Sequence, residues 1–150
     1  MNEQLVEAAG ILVAAVLAVD GLLHAYWATG AIWPASNKLS LAQAVLNSNK
    51  TQLFKPRGLI LLTTLLCLGA LIVLARIHHL GVLGDLISDS VLQLGILVVT
   101  AGLLLRGLAG IVWALGLVAA KSKLFFKLNL MVYTPACLIL FAAAVVVACS

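Results

Sequence analysis

Charge is scarce in this chain: only 9% of its 150 residues are Asp, Glu, Lys or Arg, and only 6% are aromatic. The apolar fraction is 64%, against roughly 45–50% in an ordinary soluble domain, and the mean hydropathy is +1.20. A soluble chain of this length has no core large enough to hide that much apolar surface. Most side chains must therefore face a bilayer, where backbone groups pair internally in helices or a closed barrel. The apolar runs are continuous and long, which selects helices. Cysteine is limited to Cys67, Cys137 and Cys149, with no Cys-x-x-Cys pair. That supports neither a disulfide framework nor a thioredoxin-like dithiol. No Lys or Arg precedes the first apolar run, where Glu3 and Glu7 stand instead, so a cleavable signal peptide is not expected.

Four segments reach the ~20 apolar residues that a spanning helix needs: about 5–28, 58–75, 91–117 and 128–148. The fold class expected is an all-α membrane protein, a four-transmembrane-helix bundle in one domain. The loop after the first span holds Lys38, Lys50, Lys55 and Arg57, and the third connection holds Lys121, Lys123 and Lys127. The middle loop holds only Arg76. The positive-inside rule then places the first and third loops in the cytoplasm and both termini outside it, in a multi-pass protein of the inner membrane. The net charge of +4 is thus a topology signal, and a nucleic-acid partner is not expected. In the long first loop, Ser40-Leu-Ala-Gln43 reads as a capping box, with Leu39, Ala42 and Leu46 on one face of a short interfacial helix. Trp27, Trp33 and Trp113 fall where interface belts place tryptophan.

Two stretches align at an offset of 86: Asp20-Gly-Leu-Leu-His-Ala-Tyr-Trp-Ala-Thr-Gly30 and Arg106-Gly-Leu-Ala-Gly-Ile-Val-Trp-Ala-Leu-Gly116. Spans two and four echo each other in Phe54-Lys55 against Phe126-Lys127, and in Thr64-x-x-Cys-Leu68 against Thr134-x-x-Cys-Leu138. The pattern suggests a tandem 2+2 helical-hairpin repeat with parallel halves. Asp20 and Arg106 would then be equivalent positions that can face each other across the axis.

Ionisable residues inside spans are costly and usually face the bundle interior. Here they are Asp20, His24 and Arg106. Asp20, His24 and Trp27 share one helical face, as do Phe126, Asn129, Tyr133 and Cys137 in the fourth span. Gly102 and Gly110 flank Arg106 and let a neighbouring helix approach. On these boundaries Arg106 lies near the middle of its span. Asp20 and Tyr133 lie roughly 5 Å to the cytoplasmic side of the middle of theirs, and His24 and Asn129 roughly 10 Å. Polar groups of three spans converge on one layer. Pro135 removes a backbone donor in the fourth span, either kinking it open at the pocket or leaving a tolerated bend.

Three motifs, Leu23-His-Ala-Tyr-Trp-Ala-Thr-Gly30 with Trp33-Pro34, Arg106-Gly107, and Tyr133-Thr-Pro-Ala-Cys-Leu138, together resemble a family of small four-span bacterial membrane proteins of unknown function. The resemblance covers most of the chain and implies a four-helix inner-membrane protein. It carries no catalytic residue over.

The functional expectation is a binding or transport module for a small amphipathic or anionic molecule, or a lipid headgroup. Its ligand-binding residues would be Asp20, His24, Trp27, Arg106, Asn129 and Tyr133. One alternative is a structural or accessory subunit with an internal Asp20–Arg106 ion pair. Another is a membrane enzyme with His24 as general acid or base, against which stands the lack of a second nucleophile. No metal or cofactor is expected. His78, His79, Asp85 and Asp89 in the middle loop read more simply as solvated, and a single intraspan histidine does not support bis-histidine haem. Four helices are few for a monomeric carrier, which favours a homodimer.

Overall fold

The computed structural model describes residues 2–48 and 55–150; Lys50 and Phe54, used above for the charge count and the repeat, lie outside them. Its helices are α1 (Glu3–Ala28), α2 (Lys38–Val45), α3 (Pro56–Arg76), α4 (Val82–Asp85), α5 (Asp89–Ala114), α6 (Lys123–Leu128) and α7 (Thr134–Ala148). A π-helical turn, Asn129–Tyr133, joins α6 to α7. Four helices are long and apolar enough to cross a membrane: α1, α3, α5 and the continuous Lys123–Ala148.

The helix ends follow from local chemistry. Asn2 caps α1 by accepting from the Gln4 N–H at 3.0 Å, and Glu3 complements the helix dipole in the first turn. Pro56 opens α3 at a position where its missing N–H costs nothing. α5 stops at Ala114, three residues short of the expected end. Gly116 turns left-handed at φ +70, and the Gly116 and Leu117 N–H groups bond back to Trp113 and Val112, a Schellman closure that apolar periodicity does not register. α2 is capped one turn earlier than expected. Asn37 Oδ1 accepts from the Ser40 N–H at 2.8 Å, and Ser40 Oγ accepts from the Asn37 N–H at 3.2 Å; the box is closed by Asn37 and Ser40, not by Ser40 and Gln43.

The four long helices form a ring in the order α1, α3, α5, α7, with α7 closing onto α1. α1 and α5 therefore occupy opposite corners. The interior is built of small residues, among them Ala9, Gly10, Ala14, Gly69, Ala70 and Ala144, which let backbones approach closely where lipid offers no hydrophobic drive. The outside is the reverse of a soluble protein: Leu22, Leu94, Val98, Leu105 and Ile139 are each more than half exposed. An apolar surface of that extent needs a bilayer around it.

Residues 29–48 and the loop 115–122 lie at one end of the ring, here the basic end; the first and last described residues and the loop 77–88 lie at the other. At the terminal end Arg76 donates to the Ser150 carbonyl, Gln93 Nε2 donates to the Ala148 carbonyl at 3.0 Å, and His79 Nε2 stands 2.9 Å from Glu7 Oε1. His79 is thus engaged by the start of α1 and not by the aspartates of its own loop.

The hairpins α1–α3 and α5–α7 coincide in detail. α5 is α1 displaced by the same offset of 86 at both ends. Leu17 and Leu103 are buried at matched positions. Gly21 faces α3, where an added Cβ would come within 2.9 Å of Cys67 Sγ; Gly107 faces α7, where it would meet Leu138 at 2.8 Å beside Cys137. Gly30 and Gly116 both end their helices with positive φ. Cys67-Leu68 and Cys137-Leu138, the echo in spans two and four, therefore mark the same inter-helix contact in each half.

The tightest approach is at Gly110, where a Cβ would collide with Thr134 Oγ1 and come within 3.0 Å of Thr134 Cβ. Gly110→Ala is expected to destabilise the bundle by about 1–3 kcal/mol, read as a lower Tm in detergent. Thr134→Ala in the same chain recovers part of that loss. Gly102→Ala, which has open space, leaves Tm unchanged; equal losses at both glycines would contradict this packing.

Candidate functional site

The polar residues of the spans form two clusters near the basic end. The first is built by α1 alone. The i, i+4 spacing brings His24 Nδ1 within 2.8 Å of the Asp20 carbonyl oxygen and 3.3 Å of Asp20 Oδ1. His24 is buried, whereas the Asp20 side chain is 49% exposed. The Trp27 ring meets His24 edge-on at 5.1 Å. Trp27 is buried, and its Nε1 donates to the Trp33 carbonyl at 2.9 Å. It belongs to the bundle, not to a lipid-facing belt, because the loop after α1 folds back over it.

The second cluster is built between α5 and the π turn. Arg106 lies with its guanidinium carbon 5.8 Å from the Trp113 ring centre and 5.7 Å from that of Tyr133. Arg106 Nη1 donates to Asn129 Oδ1 at a long 3.4 Å. Asn129 is fully buried, and its Nδ2 donates to the Gly110 carbonyl at 2.9 Å. That second bond fixes the amide: with nitrogen on Gly110, the oxygen must face Arg106. Phe125, also buried, packs edge-on against Trp113 at 5.0 Å and tilted against Tyr133 at 6.5 Å, so Arg106 lies against an aromatic wall.

The π turn explains why Asn129 and Tyr133 both reach this wall. Pro135 has no N–H and its ring would crowd the carbonyl four residues back. Widening the preceding turn removes that conflict, and the Thr134 N–H reaches the Asn129 carbonyl instead. Tyr133 then extends its hydroxyl to the Ala44 carbonyl of α2 at 3.3 Å. Asn47, at φ +50, completes the closure. Its Oδ1 accepts from the Lys121 N–H at 2.6 Å, and its Nδ2 donates to the Ala119 carbonyl at 3.5 Å. The two basic loops are thereby pinned together over the Arg106 cluster.

Of the six residues expected at the site, Arg106, Asn129 and Tyr133 are brought together, and Asp20, His24 and Trp27 form the separate α1 cluster. Asp20 and Arg106 make no ion pair within 4.0 Å; the carboxylate turns to His24 instead. The depth of Arg106 is corrected as well. Because α5 ends at Ala114, Arg106 and Asp20 each lie eight residues from the basic end of their helices, about 12 Å. Trp113 was assigned above to an interface belt; its i+7 spacing from Arg106 was the signal that it shares the arginine's face. Asn47 offered no such signal.

Tyr133→Phe keeps the ring beside Arg106 but releases the Ala44 carbonyl. It is expected to speed amide exchange across residues 38–47 in detergent, with the exchange of α5 unaltered. Unchanged exchange in α2 would show that this bond does not hold it.

No curated protein and no solved structure matches this chain in sequence or fold. A family model does match, over residues 17–145. By that match, the chain belongs to DUF3995, a family described as proteins of unknown function.

Proposed function

We propose that the protein is a binding or transport module whose Arg106 site takes the anionic group of a small amphipathic molecule or lipid headgroup. The observation that carries the reading is the state of Arg106. Among the described residues its one hydrogen-bond acceptor is a neutral amide at 3.4 Å, and no carboxylate is paired with it. An unneutralised arginine inside a span is costly, ~2.5–3.5 kcal/mol at the bilayer centre on insertion scales and less toward the ends, and an anion supplied from outside the chain stabilises it. A group beside the guanidinium is suited to an anion too: Trp113 Nε1 is buried without a hydrogen-bond partner among the described residues, and it can donate. The aromatic wall beside the guanidinium gives an apolar tail a surface to lie on.

In this reading the basic end faces the cytoplasm, as the distribution of Lys and Arg requires, and both termini lie outside it in the inner membrane. A carrier of this size would act as a homodimer, which mass measurement in detergent tests. The accessory-subunit alternative loses its central support, because Asp20 does not neutralise Arg106. The enzyme alternative keeps an oriented His24 but no neighbouring nucleophile among the described residues of its cluster.

Arg106→Gln is expected to weaken binding of a single-chain alkyl phosphate by roughly tenfold or more, with helix content by circular dichroism preserved. Arg106→Lys recovers only part of the affinity, because an ammonium cannot lie flat against the two rings or bind bidentately. Unaltered affinity in Arg106→Gln would remove this function. For the orientation, a reporter active only outside the cytoplasm, fused after Ser150, is expected to be active; activity of a cytoplasm-only reporter there reverses it.

A further inference from the structure

We infer that the ligand is a phospholipid of the leaflet at the basic end, entering sideways through a cleft between α3 and α5: its phosphate meets Arg106 and an acyl chain lies in the cleft. This rests on the Arg106 reading and adds the ligand's class and its route.

The cleft follows from the register of two facing stripes. On α5 the stripe is Gly95, Val99, Gly102 and Arg106; on α3, running the other way, it is Ile72, Gly69, Leu65 and Leu62. In the half of the bundle farther from the basic end the stripes touch. A Cβ at Gly95 would come within 2.7 Å of Ile72, and one at Gly69 would meet Val99 at 3.3 Å. The same antiparallel register would next set Gly102 against Leu65 and Arg106 against Leu62. The helices have separated by then. A Cβ at Gly102 would meet no neighbouring atom of the described residues within 4 Å, and Leu65 and Leu62 are 57% and 40% exposed. The flanking helix pairs stay closed at this level: Gly21 packs on Cys67 of α3, and Gly107 and Gly110 on Leu138 and Thr134.

Arg106 stands on the opened stripe. Its Nε and Nη2 make no hydrogen bond among the described residues, yet neither is sealed in as Trp113 Nε1 is. The basic end itself is covered. α2 packs Leu41 with Trp27 and Leu59, holds Tyr133 at Ala44, and is followed by Asn47, which clasps the loop 115–122. An apolar opening to the side, beneath a covered end, suits a molecule already in the bilayer. The side chains on its walls, Leu62 and Leu65, are apolar, which suits an acyl chain. The guanidinium lies against Trp113, two turns nearer the basic end, so it reaches toward the headgroup level, where lipid phosphate is the abundant anion.

Native mass spectrometry of the full-length protein in detergent, titrated with dioleoyl phosphatidylglycerol, tests this with two tryptophan variants of α5. Gly102→Trp fills the cleft, and Ala101→Trp adds the same bulk at the adjoining exposed position. Gly102→Trp is expected to weaken the lipid adduct by roughly tenfold, and Ala101→Trp to leave it as in the wild type. Arg106→Gln is expected to lower it as well. An adduct undiminished by Gly102→Trp, with Arg106→Gln still effective, overturns the cleft while leaving the anion site standing. An adduct undiminished by Arg106→Gln overturns the anion site itself. Equal losses in the two tryptophan variants also overturn the cleft. Displacement of the lipid by an equal concentration of soluble sn-glycerol 3-phosphate shows that the chain contributes nothing, and overturns the lipid as ligand. A dimer lost in Gly102→Trp with lipid binding intact assigns the cleft to a second copy of the chain, and overturns the inference too. A measurement on the wild type avoids dependence on the folding of Gly102→Trp. Phosphatidylglycerol carrying a diazirine midway along one acyl chain, irradiated with the protein, is expected to label α3 around Leu65 and α5 around Gly102. Labelling spread evenly over the four spans sinks the cleft.

Discussion

The guanidinium of Arg106 has to be held in a low-dielectric layer by a protein that gives it no carboxylate, and much of the basic half of the fold is arranged around that constraint. Two rings and one amide oxygen replace the missing anion. The amide can serve only because Gly110 offers its carbonyl to Asn129 Nδ2 and, lacking a side chain, leaves room for Thr134. Asn129 and Tyr133 are in reach only because the chain widens into a π turn ahead of Pro135. π turns are uncommon and gather at functional sites; this one sets the position of two of the three groups that touch the arginine.

Each of these supports is weaker than an ion pair. A hydrogen bond at 3.4 Å lies beyond the usual N–H···O range, and a cation over a ring contributes about 0.5–2 kcal/mol. Their sum steadies the side chain without neutralising it. An internal salt bridge would have done the opposite: it would stabilise the bundle and leave nothing for a ligand to compensate. The pairing of Asp20 with His24 rather than Arg106 is what keeps the arginine's charge available.

The sequence was a good guide to what depends on transfer free energy and helical period. The four spans emerge from apolar length, and the convergence of Asp20, His24, Arg106, Asn129 and Tyr133 near one layer follows from residue spacing alone. It was a poor guide to single dihedral angles and side-chain reach. Gly116 ends α5 through a positive φ that leaves no trace in hydropathy, which misplaced Arg106 in depth. Ser40 looked like a cap because its spacing to Gln43 fits, yet Asn37 stands three residues before it and makes the same box. The alternative of an Asp20–Arg106 pair rested on sequence equivalence, which places two residues on matched faces but says nothing of whether a short carboxylate can cross a ring of helices to its partner. Asn47 lies outside every span, and its clasp on Lys121 and Ala119 joins loops far apart in sequence.

The likeness of the two hairpins sharpens where they differ. At the positions matched by the offset of 86, α1 carries His24 and α5 carries Gly110. His24 fills the interior and engages Asp20 from its own helix, so the acidic corner is complete within α1. Gly110 takes no space, so α7 and the π turn move in, and the basic corner is assembled from two helices. One backbone frame, used twice, thus presents a carboxylate at one corner and a guanidinium at the other. They stand at equal depth because the frame is the same, and remain apart because the corners are opposite. A charge separation of this kind arises readily from a duplicated hairpin, since a change at one copy of a matched position leaves its counterpart untouched. It explains why the two most costly residues in the spans carry opposite signs and yet do not meet.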